Sequence, residues 1–182
     1  KDGFLKNSYV VVASDHGEVF ERDEIGHGTA LLYEGVINTP LIISAPGQEE
    51  RTDVHAPTCN TDLLPTFLNL AGRELPADLD GRLLPGLGGE EDPERPLFML
   101  EAKQSTSFAA LDVASVVLRR GRYKLIHYAG YPRYDGKFEL FDLQEDPHEL
   151  HDLYAQGPGA AGSMKQELLQ AFEDANRPYL KR

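Results

Sequence analysis

Residues 9–18 read Tyr9-Val10-Val11-Val12-Ala13-Ser14-Asp15-His16-Gly17-Glu18, "YVVVASDHGE". The first five are apolar, three are β-branched, and they do not alternate with polar residues. That pattern predicts a strand buried on both faces. The strand ends in an acid beside an imidazole instead of a plain turn. In open α/β sheets, ligands gather beyond the carboxyl ends of the strands, so Asp15 and His16 stand where a ligand is expected. A carboxylate oxygen and an imidazole nitrogen both suit a divalent cation. Gly17 lets the backbone bend there. An Asp-His pair alone is more often an exposed turn with Asp capping a helix. It becomes a candidate site through its setting: an apolar strand before it, Gly17 after it, and His27 between Gly26 and Gly28 ahead of an expected helix.

Downstream, "TALLYEGV" (29–36) reads as a short helix and "PLIISAPG" (40–47) as a second apolar strand closed by a Pro-Gly turn. Strand, helix, strand predicts a βαβ unit with parallel strands. "NTDLLPTFLNLAG" (60–72) reads as a helix. Thr61 or Asp62 is the expected cap, Pro65 lies in the first turn, Leu64, Phe67, Leu68 and Ala71 form the apolar face, and Gly72 ends it. Residues 76–96 are rich in Gly, Pro and acids and read as a linker or surface loop.

The texture then changes. "PLFMLEA", "SVVLRRGRYKLIHYA" and "KFELFDL" are strand-like, with turn signals at Arg120-Gly121 and Asp135-Gly136, which predicts an antiparallel sheet. A last helix is expected over 164–176. Ser163 and Gln166 fit a capping box, Met164, Leu168, Ala171, Phe172 and Ala175 share a face, and Pro178 follows the end. The fold class is α/β: a partial mixed or parallel sheet with flanking helices, then a small antiparallel sheet with a terminal helix. The expected division is a core over 1–80, a linker over 81–96 and an antiparallel subdomain over 97–182. Two parallel strands alone leave apolar faces and edges open. Further chain or a partner is expected to complete that sheet, and the open edge makes a homo-oligomer an expectation too.

Of 182 residues, 41% are hydrophobic, enough for a core, and 30 acids against 18 bases give a formal charge of −12. That balance argues against a nucleic-acid surface and against docking on an anionic membrane. No apolar run approaches the roughly 18 residues of a membrane span. The one cysteine, Cys59, excludes an internal disulfide.

Five segments in order carry a resemblance: "SDHGE", "GHGTALLYEGVINTPLIISAPG", "TDLLPTFLNLAG", "GRYKLI" and "ELFDLQEDPHEL". Over roughly residues 5–155 the chain resembles the C-terminal part of the sulfatase family, in the alkaline phosphatase superfamily and of that fold. The resemblance implies that Asp15 is a metal ligand. It implies that His16 ligates the metal or touches the bridging oxygens, and that His27 contacts the transferred group near the leaving oxygen as a catalytic residue. It also implies a divalent metal ion (Ca, Mn, Zn or Mg) and a formylglycine nucleophile.

That nucleophile arises from a Cys/Ser-x-Pro-x-Arg motif in the family's N-terminal half, and residues 1–182 contain none; Cys59 stands in "CNTDL". A pair of ligand carboxylates near the family's N-terminus has no counterpart either. The expectation is therefore a C-terminal fragment of a metal-dependent sulfatase. It would carry part of the metal and sulfate site, need the N-terminal half of the same protein, and act on an anionic small-molecule or sugar sulfate ester. The alternatives are a fragment of a phosphonate monoester or phosphodiester hydrolase of the same superfamily, or a non-catalytic module.

The remaining candidates read as structural. His55 suits a surface loop, His127 a half-buried strand, and His148 and His151 a solvated acidic turn. Tyr128, Tyr131 and Tyr134 suit a packed hairpin patch better than a sugar platform. Lys103 and Arg133 are candidate anion contacts that the sequence does not separate from ordinary surface charge.

Overall fold

The computed structural model describes residues 3, 6–20, 25–27, 30–157 and 159–180. Gly28 and Thr29, the second glycine flanking His27 and the expected helix start, lie outside them. The chain divides into two compact units, one within residues 1–15 and 39–95, the other within 16–38 and 96–182.

In the first unit, β1 (Val10–Ala13) pairs with β2 (Leu41–Ser44) in the register Val10↔Ser44 to Ala13↔Leu41. The pairing is antiparallel, which corrects the expected parallel βαβ unit. A parallel pair needs a crossover packed back on its own strands. Here the connecting segment belongs to the other unit, where Leu31, Leu32, Tyr33 and Val36 are buried. The expected helix over 29–36 shrinks to the single turn α1 (Glu34–Ile37), preceded by extended Tyr33. Gly35 and the β-branched Val36 and Ile37 weaken a helix, and burying Leu31 to Tyr33 as extended chain replaces it. Nor are the two strands buried on both faces: Val12 is 55% and Ile42 63% exposed.

Of residues 60–72, 60–70 are helical, as a 3₁₀ turn (Asn60–Asp62) running into α2 (Leu63–Leu70). Their buried side is the reverse of the expected one. Asp62, Pro65 and Thr66 are buried, whereas Leu64 and Phe67 are 54% and 40% exposed. The cause is a polar clamp on the loop that follows. Thr66 Oγ1 donates to Asp62 O at 2.7 Å and accepts the Leu84 N–H at 2.9 Å. Asp62 accepts the N–H groups of Cys59 and Arg82, both at 2.8 Å. Its carboxylate also forms a bidentate pair with Arg95 at 2.6 and 2.8 Å. Burial alone would raise this carboxyl group, but the Arg95 bonds and the two backbone donors outweigh it and hold Asp62 below the usual carboxylate range.

The second unit is built on the antiparallel order β3 (Leu97–Glu101), β4 (Ala114–Arg120), β5 (Tyr123–Ala129), β6 (Phe138–Asp142). This is the sheet read from the sequence. The helix α3 (Gly159–Leu180) is longer than expected at both ends, so Ser163 is interior rather than a cap and Pro178 lies within the helix. Met164 and Leu168 are buried and Phe172 partly so, as their shared face requires, whereas Ala175 is exposed. They pack with Ala114, Val116, Leu118, Leu125 and Leu140 on one face of the sheet. Alternation sends Val117, Ile126, Tyr128 and Phe141 to the other face, where Leu31, Leu32, Tyr33 and Val36 cover them. Residues 30–37 therefore form the second cover of this sheet.

Buried polar groups fix that cover. Lys124, fully buried, reaches Glu149 at 2.7 Å and Glu34 at 3.1 Å, while Glu149 Oε2 accepts the Glu34 N–H at 2.6 Å. Tyr33 and Tyr128 both donate to Glu139 Oε2, at 3.0 and 2.6 Å. Tyr128 and Tyr131 are core residues, as the packing reading of the tyrosine cluster requires. No helix among the described residues is long and apolar enough to cross a membrane.

Candidate active site

The segment that follows β1 is shaped by two close approaches. Gly17 N–H donates to Val36 O at 2.7 Å, and a Cβ on Gly17 would sit 2.2 Å from the Gly35 carbonyl oxygen, so only glycine fits. Val19, 1% exposed, exchanges two backbone hydrogen bonds with Gly26, at 3.1 and 2.9 Å. That bridge sets the residues flanking it, Glu18 and His27, side by side. His27 Nδ1 lies 2.7 Å from Glu18 Oε1, and the rings of His16 and His27 stack with centroids 3.8 Å apart. One ligand atom from each of His16, Glu18 and His27 falls within 4.8 Å of the others.

The protonation pattern follows from the partners. A carboxylate only accepts, so the shared proton belongs to His27 Nδ1. His16 Nδ1 lies 2.9 Å from the Gly17 carbonyl, which also only accepts, so His16 Nε2 carries the lone pair in the neutral ring. Two imidazoles and a carboxylate at this spacing are a donor set that suits a divalent transition ion, so the residues present fit a metal. Side chains of His27 and Glu18 are 42% and 38% exposed, open to a ligand.

Sequence reading named Asp15, His16 and His27. The structure brings His16 and His27 together; Asp15, the preceding residue, ends the stretch that belongs to the first unit. There Asn60 Nδ2 donates to Ser14 O at 3.0 Å and reaches Asp15 O at 3.5 Å, bracing the end of β1. Glu18 joins the two histidines through its hydrogen bond to His27. Its signal in the sequence is the symmetric placing of Glu18-Val19 and Gly26-His27 around a short loop, which makes positions 18 and 27 cross-strand neighbours.

The structure separates Lys103 from Arg133. Lys103 Nζ donates to the His27 carbonyl at 3.1 Å, whereas Arg133 stacks over Tyr134 at 5.3 Å. The other histidines lie elsewhere. His55 is exposed, His127 stacks on Phe138 at 4.1 Å, and His151 lies 3.6 Å from Asp146. A cavity of about 510 Å³ in the first unit, lined by residues such as Leu41, Ile43, Val54 and Leu87, includes none of the site residues.

Comparison with known proteins gives the family. Residues 27–176 match the family model described as N-sulphoglucosamine sulphohydrolase, C-terminal. Choline-sulfatase of Rhizobium meliloti is 33% identical over 174 residues, covering 93% of this chain and 31% of the relative. Arylsulfatase K of Bos taurus is 31% identical over 173 residues, covering 91% and 31%. Among solved structures, one described as a 2-O GAG sulfatase superposes with a TM-score of 0.70 at 26% identity, covering 95% of this chain and 38% of that one. A protein solved in complex with its substrate D-glucosamine-2-N,6-O-disulfate gives 0.66 at 27% identity, covering 99% and 36%. The chain belongs to the sulfatase family, matching the C-terminal part of its members. It spans about a third of the length of the curated relatives it matches.

Proposed function

We propose that this chain supplies the metal and leaving-group side of a sulfuric ester hydrolase site, with the nucleophile supplied from outside residues 1–182. The observation that carries the reading is the pairing of His27 Nδ1 with Glu18 beside the stacked His16 ring, in a chain of the sulfatase family. Asp15 and His16 are the residues that would hold a divalent cation, His16 through Nε2. When bound, such an ion neutralises charge on the equatorial oxygens of the transferred sulfuryl group. His27 then acts as the proton donor. Glu18 holds Nδ1–H and stabilises the ring as the imidazolium, so that the Nε2 proton passes to the leaving oxygen as the S–O bond to it breaks, leaving a neutral ring. His16, stacked on His27, also lies in reach of the sulfuryl oxygens. The nucleophile is a formylglycine from a Cys/Ser-x-Pro-x-Arg motif elsewhere in the same protein. The substrate is a sulfate ester of a small molecule or sugar, a class supported by the relatives' names.

The test is the dependence of turnover on the leaving group, in the polypeptide that joins this chain to its nucleophile. His27→Ala should lower kcat/KM by about 10²–10⁴-fold for esters of alkyl or sugar alcohols. It should lower it far less for an aryl sulfate, whose phenolate leaves without a proton. An equal loss on both substrates would remove His27 from the donor role. A chelator should abolish turnover, and adding back a divalent ion should restore it.

A further inference from the structure

Among the described residues, Lys103 makes no ion pair, in a chain of formal charge −12. Its exposed ammonium is nevertheless held in one place. Nζ donates to the backbone carbonyl of His27 at 3.1 Å, which uses one of three N–H donors. The main chain beneath it is braced as well. Lys103 N–H donates to Glu101 Oε1 at 2.8 Å, and the buried Glu101 carboxylate also accepts the Tyr131 hydroxyl. Ser105 ties the returning chain by donating to Val113 O at 2.8 Å and accepting the Val113 N–H at 3.1 Å. The same loop carries Phe108 at φ 60, 89% exposed, a backbone outlier of the kind that clusters at ligand-contacting segments.

We propose that Lys103 is a specificity residue: its ammonium binds a second anionic group, a sulfate or carboxylate, on the leaving-group part of the substrate. The inference rests on the sulfate-ester reading of the site and names which esters that site prefers. The geometry favours a second anion over the group attacked. The ammonium is anchored on the main-chain side of His27, whereas the proton is delivered from the ring at the other end of that residue. A fixed cation with donors to spare, next to the leaving-group donor in an otherwise acidic chain, gives a local attraction for a doubly charged sugar over a singly charged one.

The probes are D-glucosamine 6-sulfate and D-glucosamine-2-N,6-O-disulfate, titrated into the polypeptide that joins this chain to its nucleophile, with that nucleophile replaced by alanine so that neither probe is turned over, while the ring resonances of His16 and His27 are followed by NMR. The form with Lys103 in place should prefer the disulfate. Lys103→Met should reduce that preference about three- to fivefold, the scale of one partly exposed charge contact. Lys103→Arg should retain it, and added salt should erase it. If both probes shift His16 and His27 and Lys103→Met leaves the preference intact, the role of Lys103 is overturned while the site reading stands. If neither probe moves those rings, the site reading fails and the inference falls with it.

Discussion

Glu18 is the residue on which the candidate site turns. Its carboxylate holds His27 Nδ1 at 2.7 Å, and the same ring stacks on His16. Glu18→Ala should therefore lower turnover of an alkyl sulfate in the joined polypeptide about 10–100-fold, the usual cost of removing an orienting carboxylate. Glu18→Asp should recover only part of it. The comparison of kcat for the three forms checks this. Asp62 is the contrasting case, a fully buried acid whose work is structural. Removing its partner by Arg95→Met leaves an uncompensated carboxylate and should destabilise the first unit by about 3–5 kcal/mol in urea unfolding. Because the folded-state pKa of Asp62 lies below its unfolded value, its contribution is complete above the unfolded pKa. It is lost as the pH falls through the folded one, so the stability loss belongs below about pH 4.

At the scale of elements, the connection from β1 to α1 carries both the site and one cover of the second sheet. Gly17→Ala tests that coupling. Its methyl group meets the Gly35 carbonyl, which is backbone and cannot swing aside. Overpacking of this kind costs about 1–3 kcal/mol, and here it should also separate His16 from His27. A loss of their mutual ring-current shifts in NMR, together with a lower urea midpoint, is the expected result. His127 on β5 gives the second unit its own pH response. Burial pushes this imidazole below its ordinary value of about 6.5, with the Lys137 carbonyl opposing and Lys165 adding to the effect. A depressed histidine favours the folded state only while it stays neutral. Stability should fall as the pH drops below about 6.5, and His127→Gln should flatten that slope.

For the molecule as a whole, the sequence made legible what is periodic and local. The four-stranded sheet shows in β-branched and aromatic runs broken by Arg120-Gly121 and Asp135-Gly136. The helix that covers it shows in Met164, Leu168 and Phe172. The motif residues His16 and His27 were legible through their glycines and the apolar strand before them. What was not legible depends on long-range contact. The antiparallel pairing of β1 with β2 follows from Leu31 to Val36 being claimed by Val117, Ile126, Tyr128 and Phe141, more than 75 residues further on. The inverted face of α2 follows from Asp62 and Thr66 serving the backbone of Arg82 and Leu84, a demand that a hydrophobic pattern does not register. Lys103 stands 76 residues from the carbonyl it holds. Val12, Ile42, Leu64 and Phe67 of the first unit are exposed apolar side chains.

The central claim is that residues 1–182 carry one side of a sulfatase site and not the nucleophile. The direct measurement is turnover of an aryl sulfate by the purified, metal-loaded chain, alone and mixed with a polypeptide bearing the Cys/Ser-x-Pro-x-Arg nucleophile. The account predicts no turnover by the chain alone and turnover on mixing, lost again when Asp15→Ala is mixed instead. Turnover by the chain alone would contradict it, because the nucleophile would then have to lie within these 182 residues.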